Sequence, residues 1–330
     1  MLSFFKSNNP AVVIFYILYI GLFRVCLAFF RVDINFVFEH REPLSFLLFG
    51  FLKNFSTNYQ IISSVLAAVL CFIQALFINN VVNDNKVLAK KNYAAGATFI
   101  IFASFFKETL LLTPASVAFT FLILCTSKIF QLARKEKSYG DVFDIGFLVA
   151  IATLFYFPCV LFLLFAYIGL ATVRAFHYRE WIIVLLGFLS PLLVMFTFYY
   201  WNDKTSVLVG DIANLHSSGW LAGINLELAD RIMIGGMAFC TLACLLMLPA
   251  SLYSSLIQVR KFANTLVVLV VLIFVSMLLQ QSIHLSHLVF LALPVGIISA
   301  MVFNQIKRNM VSKVIHLILI LLVLAGQFLP

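Results

Sequence analysis

Residues 142–176 form a mostly apolar run of 35 residues with Pro158 near its middle. As one straight helix at about 1.5 Å per residue the run would reach roughly 52 Å, whereas a bilayer core is about 30 Å thick. A proline inside a helix removes a hydrogen bond and clashes with the preceding turn. The run is therefore expected to form two short helices that turn near Phe157-Pro158. Basic residues flank it, Arg134, Lys135 and Lys137 at one end and Arg174 and Arg179 at the other. A hairpin returns both flanks to one side of a membrane, and a single span would separate them.

The rest of the 330-residue chain obeys the same constraint. Only 11% of it is charged and 63% is hydrophobic, with a mean hydropathy of +1.08. A soluble domain carries about a quarter charged residues, and a disordered chain needs low hydrophobicity. Both classes are excluded, leaving an all-α, polytopic integral membrane protein. Apolar stretches at 10–30, 61–78, 93–106, 113–130, the two arms of 142–176, 181–201, 232–252, 266–279, 286–303 and 314–329 predict about 11 transmembrane helices. The apolar piece 43–52 is too short to span and reads as an amphipathic segment of an outer loop. The long connections, 31–60 and 202–231, are too short for a soluble domain of about 50 residues, so 1–330 reads as a single membrane domain. No small-residue cleavage site follows the first apolar run, which reads as a retained helix rather than a signal peptide.

Charge orients the spans. With the N-terminus inside, 15 of the 22 Lys and Arg residues fall in inner connections and 6 in outer ones, Arg24 lying within a span. Cytoplasmic loops carry such an excess, which predicts an outer C-terminus. The net charge of +9 is then a topological signal, and no nucleic acid is expected as a partner. The six cysteines lie in apolar stretches without CxxC spacing and read as small buried hydrophobes.

The densest polar cluster follows the first span: Arg31, Asp33, Glu39, His40, Arg41 and Glu42. Asp33 or Glu39 could act there as a general base, or hold a divalent metal beside a phosphate. Arg41 could grip the phosphate through a bidentate fork, with His40 and Glu42 at its side. A solvated loop of mutually compensating charges is the alternative. Lys107 and Glu108, in the next outer connection, could close over the same substrate or form an interfacial ion pair. Arg24 is costly within a span and should face other helices or a wet cavity, unless it snorkels outward. His284 and His287, three apart, are a weak metal signal.

Two resemblances follow from these residues. His40-Arg41-Glu42-Pro43-Leu44, Phe143-Asp144-Ile145-Gly146-Phe147-Leu148, Leu154-Phe155-Tyr156-Phe157-Pro158 and Arg179-Glu180-Trp181, leading to Gly187 and Pro191, resemble an uncharacterised family of inner-membrane proteins of Bacteroidota. That likeness covers most of the chain and implies no activity. The layout also resembles the membrane core of the C-type glycosyltransferases. On that likeness Asp33 and Glu39 match the acid of the first outer loop, Lys86, Lys90 and Lys91 the basic loop, and Gly146 with Ala150 and Ala152 the glycine-containing helix. The chain departs from it in lacking a soluble domain and in giving Asp33 no adjacent acid. This second resemblance implies an enzyme that handles a polyprenyl-phosphate-linked sugar at the outer face, with membrane lipids as partners. A non-enzymatic envelope scaffold and a transporter or flippase are the competing expectations.

Overall fold

The computed structural model describes residues 5, 12–25, 42–55, 59–88, 90–134, 138–175, 177–203, 205–206, 228–253, 255–277, 284–305 and 309–328. Among them the secondary structure is helical throughout: α1 (Val13–Ile20, continued by a π turn, Gly21–Val25), α2 (Pro43–Phe55), α3 (Tyr59–Asp84), α4 (Ala94–Ala103), α5 (Pro114–Leu132) and α6 (Tyr139–Phe155). These are followed by α7 (Phe162–Val173), α8 (Tyr178–Trp201), α9 (Leu228–Leu252), α10 (Ile257–Met277), α11 (Ala292–Gln305) and α12 (Asn309–Phe328). Short 3-10 turns at Lys107–Leu110, Phe157–Leu161 and Leu285–Leu291 precede α5, α7 and α11. Among the described residues six helices are long and apolar enough to cross a membrane: 60–84, 114–132, 178–201, 230–252, 257–277 and 285–305.

Contacts at the helix ends fix their directions. At one end Arg134 donates to Asp84 O, Arg174 Nε to Leu132 O at 2.8 Å, Lys128 Nζ to Asp141 at 2.7 Å and Lys261 Nζ to Val173 O at 3.2 Å. There too Gln305 reaches Ser251 O, and Arg260 donates to Tyr253 O at 3.1 Å. At the other end Leu112 N donates to Ser63 Oγ at 3.0 Å, Ser286 N to Glu108 at 2.7 Å and Gln327 to Ser104 O at 2.9 Å. The first is the basic end and the second the Glu108 end. With α2 set aside, successive helices alternate in direction between the two.

The break expected at Pro158 is present. α6 stops at Tyr156, whose extended backbone (φ −152°, ψ 105°) turns the chain into the 3-10 segment that carries Pro158. The start of α6 and the end of α7 both meet the last turns of α5, through Asp141–Lys128 and Arg174–Leu132. The two arms are therefore antiparallel, as a hairpin requires. The apolar piece expected at 43–52 is helical, running to Phe55, and Ser45 Oγ anchors it to Phe155 O at 2.5 Å.

α4 and α11 form the centre, with every residue of α4 buried, which fits a helix that is apolar all round. They touch where Thr98 Oγ1 donates to Gly296 O at 2.8 Å. The tightest crossing joins α6 to α8. A Cβ on Gly146 would overlap Val184 O, and one on Gly187 would overlap Phe143 O. Small residues at a crossing let two backbones approach, and dispersion contacts then hold helices that lipid alone would not press together. Two outer helices, α8 and α9, are mostly exposed, as lipid-facing helices would be.

Gly146→Val and Gly187→Val should each push α6 from α8 and lower the thermal midpoint of the detergent-purified protein by several degrees. Gly140→Ala, at a glycine with open space around it, should not move it. Melting curves of the three variants check this.

Candidate functional site

Arg24 lies in the π turn that ends α1 and is buried, with 4% of its surface exposed. It faces other helices. Its Nη2 donates to Ala103 O at 2.9 Å, Nη1 to Thr109 O at 2.9 Å and more weakly to Ala67 O at 3.4 Å, and Nε to Ser104 Oγ at 3.2 Å. Ala103 is the last residue of α4, where carbonyls lack intrahelical partners and the helix dipole is negative. The guanidinium thus satisfies the carbonyls that close α4 and ties them to α3 and to the turn at Lys107–Leu110.

Glu108 is buried in that turn. Its carboxylate accepts the backbone N–H of Ser286 at 2.7 Å, in the first turn of the 3-10 segment that leads into α11. His284, the residue before that segment, gives no side-chain cap, so Glu108 caps it from a distant part of the chain. Burial raises the Glu108 pKa, and the backbone bonds from Ser286 and Leu285 oppose that shift. Lys107 beside it is half-buried.

His287, one residue beyond Ser286, is fully buried. Its Nε2 lies 2.9 Å from Ser276 Oγ and its Nδ1 3.2 Å from Tyr156 OH. The imidazole joins α10, α11 and the tip of the α6–α7 hairpin. His284 is exposed, so the two histidines do not share one site, and among the described residues no three His, Cys, Asp or Glu side chains could hold a metal ion. Glu42 reaches the same hairpin tip, where its Oε1 is 3.5 Å from Phe157 N. The structure thus brings Arg24, Glu42, Lys107 and Glu108 to one end of the bundle. Asp33, Glu39, His40 and Arg41 lie outside the described residues.

Sequence reasoning missed the pairs at the basic end. Lys128 binds Asp141 at 2.7 Å and Asp144 at 2.8 Å, and Arg174 binds Glu180 at 3.1 Å with both side chains largely buried. The available signal was a lysine late in one span facing acids early in the next. Trp181 stacks on Tyr167 at 4.8 Å and closes the turn between α7 and α8.

A family model described as "Family of unknown function (DUF6427)" matches residues 35–329. The chain belongs to that family, which agrees with the first resemblance drawn from the sequence and lends nothing to the glycosyltransferase one. No curated protein gives a significant match. The residues that carried the first likeness have structural work here: Gly146 and Gly187 make the tight crossing, Asp144 pairs with Lys128, and Glu180 with Arg174.

Arg24→Gln removes the donor to Thr109 O and leaves Ala103 O with the Thr109 hydroxyl alone. Hydrogen bonds to a charged group contribute about 1.5–3 kcal/mol each, so the thermal midpoint of the detergent-purified variant should fall by several degrees. Glu108→Gln keeps an acceptor for Ser286 N and should lose little. Because the folded-state pKa of Glu108 is raised, its contribution favours the fold below the unfolded carboxylate pKa and declines as pH rises through the folded value. Thermal midpoints of wild type and Glu108→Gln should therefore converge at acid pH and separate as pH rises, the variant becoming relatively more stable.

Proposed function

We propose that the chain is an eleven-span inner-membrane protein of the cell envelope that acts as a non-enzymatic scaffold or assembly component. One observation carries the reading: at the Glu108 end the ionisable groups join helices. Arg24 donates to carbonyls and a serine of its own bundle, and Glu108 accepts from the start of another helix. A phosphate-binding arginine and an acid–base carboxylate would instead be directed toward a substrate.

Several observations support eleven spans. Among the described residues six helices have the length to cross unaided, and the shorter apolar helices fit the same alternation of direction. α4, only 10 residues long, is wholly surrounded by protein, and short or irregular backbone is tolerated at membrane depth where protein buries it. Arg134, Arg174, Arg179, Arg260 and Lys261 collect at the basic end, which favours that end as cytoplasmic.

A second reading has one observation in its favour. Glu42, the last residue of the polar cluster in the sequence, meets the hairpin tip at Phe157 N. In that reading Asp33 or Glu39 acts as base on a lipid-linked sugar and Arg41 holds its polyprenyl phosphate, with or without a divalent metal.

Single cysteines at Lys137, Asn202 and Pro330 test the topology: an impermeant reagent added to intact cells should label the last two and spare the first. Protection of position 330 would remove one span. Asp33→Ala, Glu39→Ala and Arg41→Ala, compared at equal membrane abundance in the native host, should each keep full function under the scaffold reading. Loss of function in any of them at normal abundance would favour the transferase.

A further inference from the structure

At the basic end, between the last turn of α5, the end of α7 and the start of α8, lies a half-open cleft of about 610 Å³. Arg134, Arg174, His177, Arg179 and Glu180 line it, with Tyr178. Its volume lies within the range of small-molecule sites, roughly 300–1,000 Å³. A cytoplasmic excess of Lys and Arg explains positive charge on this face, but it does not require three guanidinium groups to converge on one concavity.

The groups around the cleft are partly held and partly unused. Arg174 is fixed by Leu132 O at 2.8 Å and by Glu180 Oε1 at 3.1 Å. That leaves its buried Nη2, and Glu180 Oε2, without hydrogen-bond partners. Arg179 is held at the mouth by its own neighbour: its Nε donates to Tyr178 OH at 3.2 Å and its guanidinium lies 5.8 Å from the Tyr178 ring centre. Arg134 is anchored through one nitrogen to Asp84 O. The cleft also meets the start of α8, a helix of 24 residues whose N-cap residue, His177, makes no side-chain cap. The first turn of a helix carries the positive end of its dipole, and here Glu180 N already donates to His177 O at 3.0 Å while no side chain caps the turn. Convergent guanidinium groups and an uncapped helix start attract the same ligand, a compact multivalent oxyanion. Glu180 offsets one charge, and the described side chains of the cleft still sum to a net positive site.

We propose that this cleft binds a phosphate group, presented either by an anionic phospholipid headgroup or by a free phosphate. The site is at the opposite end of the bundle from Glu42 and Glu108 and does not depend on the scaffold reading.

The test uses the full-length protein, wild type and Arg134→Gln/Arg179→Gln, both substitutions being at exposed positions. Arg179→Gln alone serves as a second variant, and circular dichroism with gel filtration verifies each fold. In one arm, native mass spectrometry counts phosphatidylglycerol retained from nanodiscs that contain it alongside phosphatidylcholine. In the other, inorganic phosphate is titrated into detergent-solubilised protein and the thermal midpoint followed, with chloride at matched ionic strength as control. Retention of one phosphatidylglycerol by wild type, weakened about tenfold in the variants, supports the proposal with a lipid source. A phosphate-specific rise in midpoint that is lost in the variants supports it with a soluble source. No binding in either arm, or binding that the variants keep unchanged, overturns it.

Discussion

A single buried cation organises the Glu108 end of the molecule. Arg24 has no place in hydrocarbon unless its donors are met. They are met by backbone oxygen, chiefly the carbonyls of Ala103 and Thr109, and by Ser104. Ala103 closes α4, the short central helix, and Thr109 follows Glu108 in the turn that presents it to the 3-10 segment before α11. Ser104 O in turn receives Gln327 from α12. A guanidinium offers five donors in a fixed fork, so one side chain can order four segments, which a lysine could not do.

The two ends solve the same problem differently. Helices in lipid gain little from burying apolar surface against each other, so packing and polar contacts must specify the fold. At the Glu108 end a cation and a carboxylate satisfy helix termini directly. At the basic end opposite charges pair across helices, Lys128 with Asp141 and Asp144, and Arg174 with Glu180. Between them the α6–α8 crossing relies on two glycines. The second end also keeps a cationic cleft.

The apolar periodicity made the helices legible, and the places where it misled have physical causes. Residues 79–84 read as a connection because of their asparagines, yet α3 runs on to Asp84; the side chain of Asn79 is buried and Asn85 bonds back to Val81 O at 2.8 Å. α10 begins at Ile257 rather than 266, because Arg260 and Lys261 sit in its first turns and reach back to carbonyls. Pro158 announced the hairpin, and α6 ends three residues earlier, at Phe155, because Tyr156 is extended and Phe157 already belongs to the 3-10 segment that carries the proline. The candidate site was less legible. Arg24 was recognisable as a buried group, but its partners are carbonyls, which every residue has and no sequence marks. The cleft at the basic end needed the fold, since its arginines come from the ends of different helices.

Arg24 clamps the Glu108 end through its hydrogen bonds to Ala103 O, Thr109 O and Ser104 Oγ. Hydrogen–deuterium exchange of wild type and Arg24→Gln in nanodiscs, followed by mass spectrometry, tests it most directly. Amides of residues 103–112 and 285–288 should be strongly protected in wild type and lose protection together in the variant, while those of α6 and α8 stay protected. Unchanged protection across 103–112 in a folded Arg24→Gln protein would contradict the account.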